Sequence, residues 1–213
     1  MEFNTFYPQL LKIKNLPLPG ETSHDKMSPA FRKQLMEKEK IAQRNPKRAA
    51  VMALFYPDEI QTTRLLLILR KQYKGVHSNQ VAFPGGKVEP EDKDLLETAL
   101  RETEEEVGVP SQTVEVVKPL SEVYIPPSNF LVQPFVGSLQ QTGSFVMQPS
   151  EVEDLVHVDL EDFMNDRNVH YETLNTSYAK NVKVPAFKLN GHTVWGATAM
   201  MMSEIKSLLE QVL

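Results

Sequence analysis

Residues 101–109 place several acidic side chains close together in a stretch that reads RETEEEVGV. In a helix that advances about 100° per residue, Glu105 lies at about −60° and Glu106 at about +40° from Glu102, so three carboxylates share one side. Like charges at these spacings repel by about a few tenths of a kcal/mol per pair, which disfavours a purely structural role. Carboxylate oxygens are hard ligands that suit Mg²⁺ or Mn²⁺. We therefore predict a divalent metal site in which Glu102 and Glu106 hold one ion, while Glu105 binds a second ion or orients a water.

The helix that carries these acids has its own start and stop signals. Asp94 followed three residues later by Glu97 fits a capping box, and Gly108 stands where a helix favours a left-handed residue after its last turn. These signals predict a helix over about residues 93–107. Its other arc is predicted to be buried and contains Leu96, Ala99, Leu100, Thr103 and Val107.

The residues just before this helix predict a strand and a loop. Residues 80–86 read QVAFPGG, a short β-prone run that ends in a Pro-Gly-Gly break. Glycines allow the backbone to approach a metal or a phosphate closely, so the carbonyl near Gly85 and Gly86 is predicted to be a further ligand. Arg101 lies beside the acidic arc and is predicted to orient a carboxylate through a bidentate pair, the alternative being a surface salt bridge.

Residues 86–109 resemble the Nudix box, in which a glycine and an acid precede the pattern Arg-Glu-U-x-Glu-Glu-x-Gly-U, where U is a bulky aliphatic residue. The sequence departs from the pattern at Asp92, which replaces Glu and has eight residues between it and Arg101 instead of seven, and at Thr103. The resemblance implies a hydrolase of nucleoside diphosphates linked to another group. The positions that match are Gly86, Arg101, Glu102, Glu105, Glu106, Gly108 and Val109.

Two further segments resemble the coenzyme A pyrophosphatase branch of this family. They are residues 66–86, with LLILR followed by HSNQVAFPGG, and residues 194–199, VWGATA. The branch motif has Thr, Ser, Leu, Arg and Gly where this chain has Ile68, Lys71, Lys74, Gly75 and Asn79. The resemblance implies cleavage of coenzyme A or acyl-coenzyme A into adenosine 3',5'-bisphosphate and 4'-phosphopantetheine. The alternatives are another substrate, such as ADP-ribose or NADH, and a ligand-sensing Nudix domain without catalysis, which the intact Glu102, Glu105 and Glu106 disfavour.

Cationic side chains offer candidates for binding substrate phosphates. Residues 31–48 contain seven Lys or Arg against two Glu, which predicts either a solvated amphipathic helix or a segment whose Lys47 and Arg48 hold a phosphate. Arg70 is a third candidate. His77 is predicted to donate a hydrogen bond to a phosphate or to cap the loop before Val81, because no other His lies at metal-ligand spacing.

A general base is sought outside the acidic helix. In several Nudix enzymes a Glu on a later loop takes part, and Glu151 and Glu153 lie in the corresponding region, just before a predicted strand. Each is either a catalytic base or an ordinary solvated loop residue. Trp195 is interpreted as a residue that stacks on adenine or as part of the core.

Composition fits a single catalytic domain. The 213 residues are 41% hydrophobic and 24% charged, with no cysteine, which excludes disulfides, thiolate metal sites and a cysteine nucleophile. The net charge of −5 disfavours nucleic acid as a partner. The sequence contains no run of about 18 apolar residues, so no membrane span is predicted. We expect a cytoplasmic protein that acts on a small nucleoside diphosphate derivative; its oligomeric state, including a homodimer, is left open.

The order of the predicted elements favours an α/β fold, a Nudix-type α/β/α sandwich with a mixed β-sheet. Prolines at 17, 19 and 46 set off an N-terminal helical extension, residues 1–45, from a Nudix hydrolase domain, residues 46–213. Strands are predicted at 49–56 and 64–70, which form a hairpin, and at 114–117, 122–125, 130–138 and 156–160. A closing helix at about 197–213 has a Met-bearing apolar stripe that is interpreted as core.

Overall fold

The computed structural model describes residues 1–30, 32, 36, 41–71, 80–174 and 181–213. The helices named here are α1 (Phe3–Lys12), α2 (Glu21–His24), α3 (Leu95–Val107), α4 (Leu160–Met164) and α5 (Gly196–Leu209). The strands are β1 (Lys47–Pro57), β2 (Thr63–Arg70), β3 (Val81–Ala82), β4 (Gly85–Lys87), β5 (Glu115–Pro119), β6 (Val123–Ile125), β7 (Phe130–Ser138), β8 (Val152–Asp159), β9 (Val169–Leu174), β10 (Val182–Leu189) and β11 (His192–Trp195).

A mixed sheet of eight strands forms the centre of the molecule. Its main path runs β3-β2-β1-β7-β5, and β4, β6 and β8 pair with β1, β7 and β2. The predicted hairpin is confirmed, since β1 and β2 pair antiparallel, whereas β1 and β7 run parallel. Strand β8 begins at Val152, earlier than predicted, because it pairs with β2 along its length.

Helices cover both faces of this sheet. Alternate residues of β1 point to opposite sides: Ala50, Met52 and Leu54 pack toward α3, and Ala49 and Ala53 pack toward α1 and α5. The predicted sandwich and its mixed sheet are confirmed.

The first 28 residues belong to the same core. Phe3, Phe6, Leu10 and Ile13 are at most 1% exposed, and the Phe6 ring lies 5.1 Å from that of Phe55 on β1. The backbone contributes a hydrogen bond as well, from Phe3 N to Gln61 O at 2.8 Å. The domain boundary at residues 45 and 46 stays a prediction, but this helical segment packs on the sheet rather than standing apart.

The C-terminal part differs most from the predictions. A second sheet of three strands, in the order β11-β10-β9, was not predicted. Asn190 and Gly191 connect β10 to β11 with φ values of 48° and 80°, an Asn-Gly hairpin turn that was present in the sequence as a signal. The closing helix ends at Leu209, and its predicted stripe is buried, which confirms its interpretation as core. No helix in the described part of the chain is long and apolar enough to span a membrane.

Candidate active site

The acid-bearing helix α3 forms as its caps predict. The Asp94 carboxylate accepts a hydrogen bond from Glu97 N at 2.9 Å, and Gly108 ends the helix with φ 71°. Glu97 accepts from Lys93 N at 2.6 Å, so the capping contacts fix the first turn from both sides. The helix therefore begins at Leu95 and presents its acids at fixed positions beside β4.

The three acids do not share one environment, which corrects the simple two-arc prediction. Glu106 is buried together with Ala99, Thr103 and Val107, and its side chain is 1% exposed, against 13% for Glu102 and 56% for Glu105. Positions 99, 103 and 106 follow one another at i, i+4 and i+7 on a helix. Glu106 therefore lies on the sheet-facing arc, and Glu105 faces solvent.

Glu106 is held by the strands beneath it. Its carboxylate accepts hydrogen bonds from Gly85 N at 2.8 Å and from Arg70 Nη1 at 3.3 Å. Burial raises the pKa of Glu106 to about 7, although Arg70 and the Gly85 amide act in the opposite direction. Because these two contacts only partly offset the cost of burying the charge, a cation bound beside Glu106 would stabilise its charged form.

Glu102 lies directly against the backbone of β4. A Cβ placed on Gly86 would lie 2.3 Å from the Glu102 carboxylate, so a glycine is needed for this close approach. Burial raises the pKa of Glu102, while Arg101 lowers it. The two glycines were predicted to lie in a loop, but they form β4, paired with Ala50 and Val51 of β1.

Arg101 connects the acids, as predicted. Its guanidinium makes a bidentate pair, but with Asp92, at 2.9 and 3.0 Å, a partner that was not predicted, and it also reaches Glu102 and Glu105, both at 3.1 Å. The hydrogen bonds from Arg101 lower the pKa of Asp92, so this carboxylate stays charged. Asp92 also accepts from Thr98 Oγ1 at 2.8 Å. Asp92 thus anchors Arg101, a role that sequence reasoning did not assign; the nine-residue separation across the helix start was the available signal.

The loop before β8 brings one of the two candidate bases to this cluster. Gln148 N donates a hydrogen bond to Glu106 O at 3.0 Å and Glu151 N donates to Gln148 O at 3.1 Å, so the backbone of Glu151 lies one turn from the acidic helix. Glu153 lies within β8, at the bulge where the strand changes register against β2. The geometry therefore favours Glu151 over Glu153 as the candidate base.

A cavity of about 350 Å³ opens on the other side of β4. Gly85, Gly86 and Arg70 separate it from the glutamates, and α5 closes its far side. Its walls are mainly apolar and include Phe83, Ile125, Phe130, Trp195 and Met201. Trp195 therefore lines a cavity at the start of α5, in addition to ending β11.

The other predicted phosphate-binding residues are dispersed. Lys47 does not line the cavity, but its ammonium lies 5.8 Å from the centre of the ring of Phe130, which does. Arg48 points to the opposite face of β1 by strand alternation and forms an ion pair with Glu122. His77 lies outside the described residues, as do residues 31, 33–35 and 37–40 of the predicted basic segment, of which Ile41–Arg44 is a short 3-10 helix and Lys47 and Arg48 begin β1.

The donor set suits a hard divalent cation, although the side chains do not form a finished cage. In the described ranges, no three Asp, Glu or His side chains converge closely enough to hold a metal ion. Instead, Arg70 and Arg101 contact the carboxylate oxygens of Glu106, Glu102 and Glu105. The burial of Glu106, which its two hydrogen bonds only partly offset, and the position of Glu102 directly against Gly86 fit an ion bound by Glu102 and Glu106, which requires these side chains to turn from their arginine partners.

Residues 46–176 match the model of the NUDIX domain. The chain belongs to the Nudix family. It is similar to the Nudix hydrolase NudL of Photorhabdus laumondii, with 35% identity over 141 residues that cover 66% of this chain and 74% of that protein. The family prediction is thereby confirmed, and the chain is a hydrolase that acts on diphosphate bonds of nucleoside diphosphate derivatives. Nudix hydrolases in general use divalent metal ions.

Solved structures show the same fold. The Nudix hydrolase RenU of M. smegmatis has a TM-score of 0.54 at 16% identity, covering 79% of this chain and 88% of RenU. A MutT/nudix family protein of Enterococcus faecalis has a TM-score of 0.51 at 15% identity, covering 92% of this chain and 76% of that protein. At identities this low, the likeness shows that the fold is shared and no more.

Proposed function

We propose that this Nudix protein hydrolyses the diphosphate of coenzyme A or acyl-coenzyme A, with Mg²⁺ or Mn²⁺, to adenosine 3',5'-bisphosphate and 4'-phosphopantetheine. The observation that carries the proposal is the largely apolar cavity that adjoins the glutamates across Gly85 and Gly86. A long substrate with a diphosphate in its middle can lie with the diphosphate at the acids and one uncharged arm in the cavity. The resemblance of residues 66–86 and 194–199 to the coenzyme A branch supports this choice.

The residues have distinct roles in the proposed reaction. Glu102 and Glu106, with Glu105 and the Gly86 carbonyl as further oxygen donors, would hold the divalent cation, which supplies charge neutralisation and activation of water when bound. Glu151 accepts the proton of the attacking water. The water oxygen bonds to one phosphorus, the bridging P–O bond breaks, and the departing phosphate keeps the electron pair. Arg101 fixes Glu102 and Glu105 through its pair with Asp92.

Substrate phosphates require cations near the cavity. Arg70 lines the cavity and contacts Glu106, and the Lys47 ammonium lies over the ring of the lining residue Phe130, so these two are the proposed contacts for substrate phosphates. Arg48 could contact a substrate phosphate only if it left its ion pair with Glu122. The predicted phosphate contact of His77 stays a prediction. The cytoplasmic location, the homodimer and the choice of metal also stay predictions from the sequence.

The deciding experiment is a substrate panel. The protein is incubated with Mg²⁺ or Mn²⁺ and with coenzyme A, acetyl-coenzyme A, dephospho-coenzyme A, ADP-ribose or NADH, and the products are separated. We expect the highest kcat/KM on coenzyme A or its acetyl ester, and a lower value on dephospho-coenzyme A, because a lost charge-assisted contact to the 3'-phosphate costs about 1.5–3 kcal/mol. Tenfold higher efficiency on ADP-ribose or NADH would reject the coenzyme A assignment and leave the Nudix hydrolase.

The single tryptophan gives a second test of the cavity. Because Trp195 is the one Trp of the chain and lines the cavity, its fluorescence reports occupancy directly. We expect 4'-phosphopantetheine to change this fluorescence at lower concentration than adenosine 3',5'-bisphosphate, since the cavity wall is mainly apolar. The reverse order would place the nucleoside half of the substrate in the cavity.

A further inference from the structure

The loop that carries Glu151 is tied to the acidic helix α3 by backbone hydrogen bonds. Val146 N donates to Val107 O at 2.9 Å, and Gln148 N donates to Glu106 O at 3.0 Å. Glu151 N in turn donates to Gln148 O at 3.1 Å, which closes a turn before β8 begins. One side of the loop is therefore fixed to the residues that hold the proposed metal site.

The other side of the loop is held by a lysine at the end of β2. Lys71 N donates to Glu151 O at 2.8 Å, and Lys71 Nζ donates to Pro149 O at 2.6 Å. Lys71 directly follows Arg70, whose guanidinium contacts Glu106. Two successive residues thus connect to Glu106 and to the loop of Glu151.

The sheet alone does not hold this loop. The β2–β8 ladder changes register between Leu69 and Arg70, and its last pair is Arg70 with Val152. Beyond that pair the strand gives way to an exposed loop, so a side chain that spans from β2 to Pro149 restrains residues that lie past the end of the ladder. The coenzyme A branch motif has Ser at the position of Lys71, and a serine is too short to span this distance.

We propose that Lys71 is a positioning residue that sets the place of Glu151 relative to Glu102 and Glu106. The proposal rests on the proposed role of Glu151 as the base, but it does not depend on the identity of the substrate. Both contacts of Lys71 are to backbone oxygens, so its effect passes through the course of the loop and reaches Glu151 without a contact to its carboxylate. A displaced base loses rate, while substrate binding at the cavity is unchanged.

The test compares Lys71→Met, which keeps the aliphatic stem, with Lys71→Arg, which keeps the charged donor. With whichever diphosphate substrate the wild-type protein hydrolyses best, we expect Lys71→Met to lower kcat about tenfold with KM within about twofold, and Lys71→Arg to restore most of kcat. In a Glu151→Gln background, Lys71→Met should cause no further fall, because both changes act on one group. Lys12→Met is the matched control, since Lys12 is also exposed and its Nζ donates one 2.6 Å hydrogen bond, to Gln9.

Hydrogen exchange followed by mass spectrometry gives a readout that does not need activity. Amide hydrogens in peptides covering residues 144–152 should exchange faster in Lys71→Met than in wild type, and at the wild-type rate in Lys12→Met. A rise in KM with kcat unchanged in Lys71→Met would show that Lys71 contacts substrate. An equal fall in kcat when Lys71→Met is added to wild type and to Glu151→Gln would show that Lys71 does not act through Glu151. Either result overturns the proposal. Full kcat in Glu151→Gln overturns it as well, while a change of preferred substrate in the panel rejects only the coenzyme A assignment.

Discussion

Three of the four glutamates in residues 102–106 of α3 form the acidic cluster, and they occupy three different environments that decide what each can do. Glu105 is exposed and pairs with Arg101, Glu102 lies against Gly86, and Glu106 is buried between α3 and β4. Helical periodicity predicted the cluster, because the angle between residues depends on the helix alone. It could not predict which acid is buried, since that depends on the strand that packs beside the helix.

Glu106→Gln tests the metal site at the buried position. We expect kcat to fall by at least about a hundredfold with the fold retained, because the amide keeps the size of the side chain but cannot supply the charged ligand. Glu104→Gln is the control on the same helix, since Glu104 faces Ser111 on the opposite side and should leave kcat unchanged. Wild-type turnover by Glu106→Gln on a good substrate would remove Glu106 from the metal site.

At the scale of elements, β4 is a strand that sequence patterns do not suggest. Gly-Gly-Lys has low β propensity, and residues 84–86 read as a turn. The strand forms because Gly85, with φ 149°, packs where a Cβ would lie 2.4 Å from Ala50 O and 2.6 Å from Val51 Cα. Tertiary packing therefore overrides the local pattern, and the same packing brings the backbone to Glu102 and Glu106.

The two glycines of β4 should respond differently to alanine. Gly85→Ala collides with the backbone of β1, so we expect a loss of stability of about 3 kcal/mol or more, measured by thermal unfolding. Gly86→Ala meets only the movable carboxylate of Glu102, so we expect a small change in Tm and a fall in kcat of at least about tenfold. Gly143→Ala is the control, because its nearest neighbours are side-chain atoms at 3.2 Å or more. Equal effects of the two β4 variants on Tm would contradict this account.

The elements that could be predicted are those with a strong local signal. Strands β1, β2 and β7 are long apolar runs, and α3 has both caps in its sequence. Strands β9 to β11 lack long apolar runs, and β9 alternates between exposed and half-buried residues, so only the Asn-Gly turn indicated them. The loop contacts of Glu151 and the role of Asp92 depend on distances between separate segments, which a single sequence does not contain.

At the scale of the whole molecule, Glu204 on α5 links the N-terminal segment to the sheet. Its carboxylate is buried and accepts hydrogen bonds from Gly20 N, His24 Nε2 and both donors of Ser121, at 2.7 to 3.1 Å. Burial would raise the pKa of Glu204, but the hydrogen bonds from His24 and Ser121 outweigh it and lower the pKa below its ordinary value of 4.5. The charged form is therefore the one that holds these segments together.

This network predicts how stability depends on pH. A carboxyl group whose pKa is lower in the folded than in the unfolded state contributes stability that is fully present above the unfolded value, about 4.5, and is lost as the pH falls through the folded pKa. At pH 7 the free energy of unfolding of Glu204→Gln should therefore be about 1.5–3 kcal/mol lower than that of wild type. This gap between the two proteins should narrow below about pH 4.5. Glu210→Gln, an exposed change at the end of the same helix, should show no gap at either pH. Chemical denaturation at pH 7 and pH 3.5 measures both, and a gap for Glu204→Gln that stays constant with pH would mean that the buried carboxyl group is not ionised in the folded protein.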